Sequence, residues 1–318
     1  MKTKSPKWVG IDVDKNCLHV HIRPDSKKFS CPNTPEGITD LVKQVKRSKP
    51  MLIVMEASGN MELAVTTALK EAGLQVAVVN PRQVRDFAKA TGRLAKNDSL
   101  DAGVLAHFAE AIKPPVRPLP EPETQQLEAL VNRRHQILEM LTMEKNRLSS
   151  AGKNVRSQLE AHIKWLEDEL GQLGRQIEKE IKTNQVWSEK NQILQSVQGV
   201  GKVLSSTLIA NLPELGQLNR WEVAALVGVA PFDDDSGKKN GKRKICGGRS
   251  EVRKVLYMAT MASLIHNPII KEYYHRLIGK GKKAKVAIVA AMRKLIVILN
   301  TMMKEKTMWE RGNFAYAS

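Results

Sequence analysis

A chain of 318 residues is long enough for two domains with separate cores. Its 51 Lys and Arg against 33 Asp and Glu leave a net charge of +18, with a pI near 9.8, which favours a polyanionic partner such as duplex DNA, with about one charge per 1.7 Å of axis. Cys17, Cys31 and Cys246 lie far apart without CxxC spacing, which argues against a disulfide framework or a zinc site. The polar start MKTKSPK reads as no signal peptide, and no run of about 18 apolar residues is found. A soluble, cytoplasmic protein with no membrane partner is expected.

The stretch KWVGIDV at 7–13 carries Val9, Ile11 and Val13, β-branched residues that predict a buried strand. Asp12 interrupts it with a carboxylate, which in a buried strand calls for a cation or hydrogen-bond donors. Strands follow at 17–23 and 27–31, where His19 and His21 alternate with Val20 and Ile22 and line one sheet face rather than a metal. A helix after Pro35, a strand MLIVME at 51–56, and a helix at 60–72 closed by Gly73 come next. Strand 74–80 and a helix opened by Pro81 complete a βββαβαβα order, an α/β layer with a mixed sheet.

KPPVRPLPEPE then marks a stiff linker at 114–123, separating a domain at 1–113 from the rest. Leu159, Ile163, Leu166, Leu170, Leu173 and Ile177 form a heptad seam, and Leu127, Leu130, Leu138 and Leu141 repeat the pattern earlier. Coiled-coil helices are therefore expected over 124–185, closing within one chain or between two. The remainder, 186–318, reads as mainly helical.

In that last part Gly199 and Gly201, followed by Lys202, sit between two apolar helical stretches. They suggest a helix-hairpin-helix that offers backbone N–H groups to phosphate, or simply a tight helix–helix turn. Lys238, Lys239, Lys242, Arg243 and Lys244 form a basic run, with Arg249 and Arg253 beyond it, and a second cluster holds Lys280, Lys282, Lys283 and Lys285. Nucleic-acid contact is the expected use of these cations, a solvated face the plainer one.

Three further acids match Asp12. Glu56 ends its strand, where sites on α/β sheets are built, and Asp98 and Asp101 share one face at the start of a helix. Helix capping would account for that pair alone. Four converging carboxylates instead suit two Mg²⁺ ions that activate the attacking oxygen and neutralise the leaving one.

The strings GIDVDK, MEASG and NPRQVRDFAKATGRLAKNDSLDA resemble the RuvC-like, ribonuclease-H-like domain of DEDD transposases of the insertion sequence 110 family. AALVGVAPFDDDSGKKNGKRKICGGRSEVRKVLYMA is similar to that family's second domain, although Asn97 and Ser99 flank Asp98 where Thr or Ser and Arg are usual. The resemblance implies a recombinase guided by a non-coding bridge RNA that pairs with target and donor DNA. It also implies a homo-oligomer whose active site joins the four acids of one protomer to a nucleophilic serine of another. Ser236 matches that serine, with Ser250 the competitor. A metal-dependent nuclease or junction resolvase and a non-catalytic nucleic-acid scaffold remain as alternatives.

Overall fold

The computed structural model describes residues 5–59, 61–93, 98–116, 121–233, 241 and 243–310, with 98–100 by their backbone. The chain divides into two compact units, Met1–Leu119 and Pro120–Ser318.

The first unit opens with β1 (Trp8–Val13), β2 (Cys17–Arg23) and β3 (Lys27–Pro32), an antiparallel meander. Helix α1 (Pro35–Ser48) starts where Thr34 accepts the Gly37 N–H and Pro35 supplies a preset φ. Strand β4 (Leu52–Glu56), helix α2 (Leu63–Glu71), strand β5 (Val76–Val79), and helices α3 (Pro81–Ala90) and α4 (Asp98–Ile112) follow. The sheet order is β3-β2-β1-β4-β5, with β4 and β5 parallel to β1. The expected mixed α/β layer is therefore present, with Gly73 at φ +80° closing the turn after α2. Strand and helix ends fall inside the expected bounds at 60–72 and 74–80.

Period-two alternation sorts the strands onto two faces. Val9, Ile11, Leu18, Val20 and Ile53 pack with α1 and α2 residues Leu41, Val45, Val65 and Leu69. Trp8, Leu52, Val54, Ala77 and Val79 pack on the other face with Val84, Val104, Leu105 and Phe108 of α3 and α4.

The second unit begins with α5 (Pro122–Ser149) and α6 (Lys153–Thr183), which pack together as an antiparallel hairpin. Ile137 and Leu141 meet Ile163 and Leu166, and Lys145 bridges to Glu167 at 2.7 Å. This seam closes within the chain. Pro122 takes the first helical turn, so α5 begins inside the stretch read as linker. The phase of α5 also differs from the leucine pattern: Leu138 is 41% exposed, while His135 and Glu144 are buried.

Helices α7 (Gln185–Gln195), α8 (Lys202–Asn211) and α9 (Arg220–Val227) lead to a two-stranded ladder, β6 (Pro231–Phe232) with β7 (Lys244–Ile245). Helices α10 (Ser250–His266), α11 (Pro268–Gly279) and α12 (Ala284–Glu305) finish the unit. By length and composition α12 could cross a membrane. It contributes Ala291, Leu295, Ile298, Leu299 and Met302 to the second unit's main core instead. Its buried Asn300 accepts the Gly216 N–H and donates to the Leu218 carbonyl.

Candidate functional site

The carboxylate edge follows from strand register. Ile11 pairs with Met55 across the parallel β1–β4 ladder, so Asp12 and Glu56 continue it as the next neighbours. Both fall on the face covered by α3 and α4, because side chains alternate along each strand. Glu56 in turn pairs with Val79 of β5, and Asp12 with His19 of β2.

Gly10, two residues before Asp12, decides where α4 lies. A β-carbon there would collide with the Ala102 carbonyl oxygen and the Ala106 amide nitrogen. Near the other end of α4, Glu110 accepts from Arg23 at 2.7 Å. Lys113, just past it, stands over the Trp8 ring at 5.6 Å. Trp8 and Arg23 lie at the start of β1 and the end of β2, so α4 runs antiparallel to β1. Its first turn, with Asp98 and Asp101, thus lies toward the strand end that carries Asp12 and Glu56.

Asp12, Glu56 and Asp101 are half-buried, at the rim of the sheet rather than sealed in its core. Their oxygen donors suit a hard divalent cation such as Mg²⁺. Among the described residues no three side chains already stand together as a metal cluster, and the Asp98 side chain lies outside those residues.

Three histidines lie on the sheet face covered by α4 or on α4 itself. His19, directly cross-strand from Asp12, is bonded through Nδ1 to the Ser30 hydroxyl at 2.8 Å. His21 and His107 have buried Nδ1 atoms with no hydrogen-bond partner among the described residues. Burial holds both imidazoles below their ordinary pKa; Lys28, Arg23 and Arg93 add to this at His21, and Arg23 and Arg93 at His107. Burial and the neighbouring guanidinium groups thus disfavour the protonated form of both rings.

In the second unit Ser236, Lys238, Lys239 and Lys242 lie outside the described residues. The described residues on either side are defined: Phe232 pairs with Lys244, and Arg243 bridges to Asp233 at 2.5 Å. Just beneath, Gly228 (φ +78°) and Gly248 (φ +73°) approach so closely that a side chain on either would strike the other's backbone segment. Arg253 donates to the Gly247 carbonyl at 2.5 Å. Arg249 grips Glu214 with two bonds of 2.6 and 2.7 Å and also donates to the Asn211 carbonyl. Both arginines, expected at nucleic acid, also make bonds within the fold: Arg253 to Gly247, and Arg249 to Glu214 and Asn211. Ser250 is exposed at the start of α10 and meets Glu251 at 3.3 Å.

Gly199 has φ +94° and sits against Ser263 of α10, where no side chain fits. This close approach fixes a tight turn between α7 and α8, which both readings of the glycines require. Gly201, by contrast, faces open space at the start of α8, and Lys202 bridges to Glu178 at 2.8 Å. Sequence reasoning does not single out Gly10, Glu214, Gly228 or Gly248. Glycine at position 10 in an apolar strand is the one available signal, since such a residue often marks close backbone approach.

Two family models match the chain in succession: one described as Transposase over residues 9–153, and one described as Transposase IS116/IS110/IS902 family over residues 191–275. The chain is 26% identical to the pilin gene-inverting protein of Moraxella bovis over 96% of its own length and 98% of the relative's. It matches the same-named protein of Moraxella lacunata to the same extent. It is also 23% identical to the insertion element IS116 uncharacterized 44.8 kDa protein of Streptomyces clavuligerus, over 42% of this chain and 34% of the relative. The chain belongs to the IS110 family of insertion-sequence transposases and is a DNA-recombining enzyme.

Proposed function

We propose that this transposase cuts and rejoins DNA at a composite site, in which Asp12, Glu56, Asp98 and Asp101 hold two Mg²⁺ ions and Ser236 is the nucleophile. In this reading the first unit is a RuvC-like domain. The observation that carries the proposal is the register that sets Asp12 beside Glu56 on the face covered by α4, with the Asp98–Asp101 turn toward the same end. Bound Mg²⁺ would lower the pKa of the attacking hydroxyl and neutralise the oxygen that leaves.

The chain's own groups divide the work. The four carboxylates supply the charge that retains the cations. The Ser236 oxygen attacks the phosphorus, its O–P bond forms as the P–O bond to the leaving sugar breaks, and the serine proton ends on that sugar oxygen. The phosphodiester energy is kept as a phosphoserine, so the reverse attack by a new strand's hydroxyl reseals DNA without an outside energy source. A relative named for inverting a gene fits an enzyme that reseals what it cuts.

The site is assembled between protomers of a homo-oligomer, and a non-coding bridge RNA selects target and donor DNA. The net charge of +18 supports binding of both polyanions. The test is strand exchange on a supercoiled plasmid with the co-purified RNA present. Asp12→Asn, Glu56→Gln, Asp98→Asn and Asp101→Asn each abolish exchange while the fold and RNA binding persist. Near wild-type exchange by Asp101→Asn would return that residue to helix capping and refute the four-acid site. Programmed cutting by RNA-free protein would refute the guide.

A further inference from the structure

We infer that the exposed face of α3 is a contact for the DNA phosphate backbone that leads a strand into the carboxylate edge, an inference that rests on the site proposed above. Arg82, Arg85 and Lys89 recur at steps of three and four and so share one helix face. All three are exposed. The opposite face is committed to packing: Val84 is buried, and Phe87 meets the rings of His107 at 5.0 Å and Phe108 at 5.3 Å.

With Asn80, Pro81 and Asp86 these cations line an open cleft of about 470 Å³. Asp86 is the one carboxylate in that lining, against three cations. Among the described residues none of the three makes an ion pair. Lys145, Lys202, Arg249 and Lys254, by contrast, are each bound to a glutamate. Cations packed for stability find partners within the fold, whereas these are presented outward.

Position ties the face to DNA. Asn80, whose side chain accepts the Arg82 N–H at 2.8 Å, directly follows Val79, the ladder partner of Glu56. The basic face therefore begins about one strand spacing, roughly 4.8 Å, from the strand that ends in Glu56. From Arg82 to Lys89 the helix rises about 10 Å, the length of about three nucleotides in one strand of a duplex. A strand entering the carboxylate edge meets this face first. RNA shares the phosphate chemistry, but the scissile strand is DNA, which places DNA here.

The experiment measures the salt dependence of binding by the full chain in EDTA, which removes any metal contribution. The probes are a duplex DNA of about 40 bp and an RNA hairpin of equal charge. Replacing all three residues (Arg82→Gln, Arg85→Gln, Lys89→Gln) reduces the log–log salt slope on duplex by up to about 0.9 for each phosphate no longer neutralised, with the RNA slope unchanged. An unchanged duplex slope in a protein with intact circular dichroism overturns the proposal, and so does a reduction confined to RNA. Arg85→Gln alone, with an expected slope reduction of about 0.9, decides the matter if the triple variant does not fold. Asp12→Asn separates the two readings. Normal recombination by Asp12→Asn together with a reduced slope in the triple variant defeats the carboxylate site and leaves the DNA contact standing.

Discussion

Gly10 and Ala102 touch backbone to backbone, with no space between β1 and α4 for even a methyl group. The carboxylate edge depends on this contact, because it seats the helix whose first turn carries Asp98 and Asp101 on the strand that carries Asp12. Gly10→Ala is expected to cost at least about 1–3 kcal/mol by overpacking and to displace α4. Strand exchange falls with it, although Gly10 holds no ligand. Urea unfolding followed with an exchange assay checks this, and a variant of wild-type stability and activity would contradict it.

Arg249 is expected to act through stability rather than through nucleic acid. Its fork is matched to Glu214, 35 positions earlier, and both side chains are largely covered. Arg249→Lys replaces a planar two-bond grip by a point charge. The thermal midpoint falls, consistent with about 1–3 kcal/mol for a charged hydrogen-bonded pair, while the salt slope of DNA binding stays constant. A fall in slope at constant midpoint would return Arg249 to the DNA contacts.

The two glycines at the α7–α8 turn differ in what they tolerate. Gly199→Ala faces a positive φ of +94° and the Ser263 backbone, and a cost of about 2 kcal/mol or more is expected. Gly201→Ala enters open space and costs about 1 kcal/mol or less, the value of replacing an N-cap glycine. Denaturation midpoints of the two variants provide the comparison.

His135 gives a pH dependence of defined sign. Burial is the main cause that lowers its pKa; Glu251 and Glu139 oppose it, and Arg134 and Lys254 reinforce it. The unfolded chain takes up a proton near the ordinary value of 6.5, and the folded chain only at lower pH. This contribution to stability is complete above 6.5 and is lost as pH falls below it. His135→Leu is expected to lose less stability than wild type between about pH 7.5 and about pH 5.5. An equal loss in both proteins would contradict the assignment.

Much of this is legible in the sequence for physical reasons. Strands β1 and β4 announce themselves by β-branched apolar runs, and an acid at each end stands out against them. Asp98 and Asp101 can be placed on one face by helical spacing alone. The direction of α4 is not legible, because it is set by Gly10, Arg23 and Trp8, residues distant in sequence. The phase of α5 departs from the leucine pattern at Leu138 because two polar side chains, His135 and Glu144, take buried positions that such a pattern does not foresee. The bonds that Arg249, Arg253 and Lys202 make within the fold are not legible, because those partners lie 24 to 35 residues away or on the backbone.

The most direct measurement is a map of the covalent adduct. Wild-type protein is trapped on a nicked suicide substrate with Mg²⁺ and the co-purified RNA, denatured, and digested for mass spectrometry. DNA joined to Ser236 is expected, with no adduct in Ser236→Ala and none in Asp12→Asn, because the carboxylates serve the same step. Robust cleavage by Ser236→Ala with no adduct on Ser236, Ser250 or Tyr257 would contradict it and identify a hydrolytic nuclease.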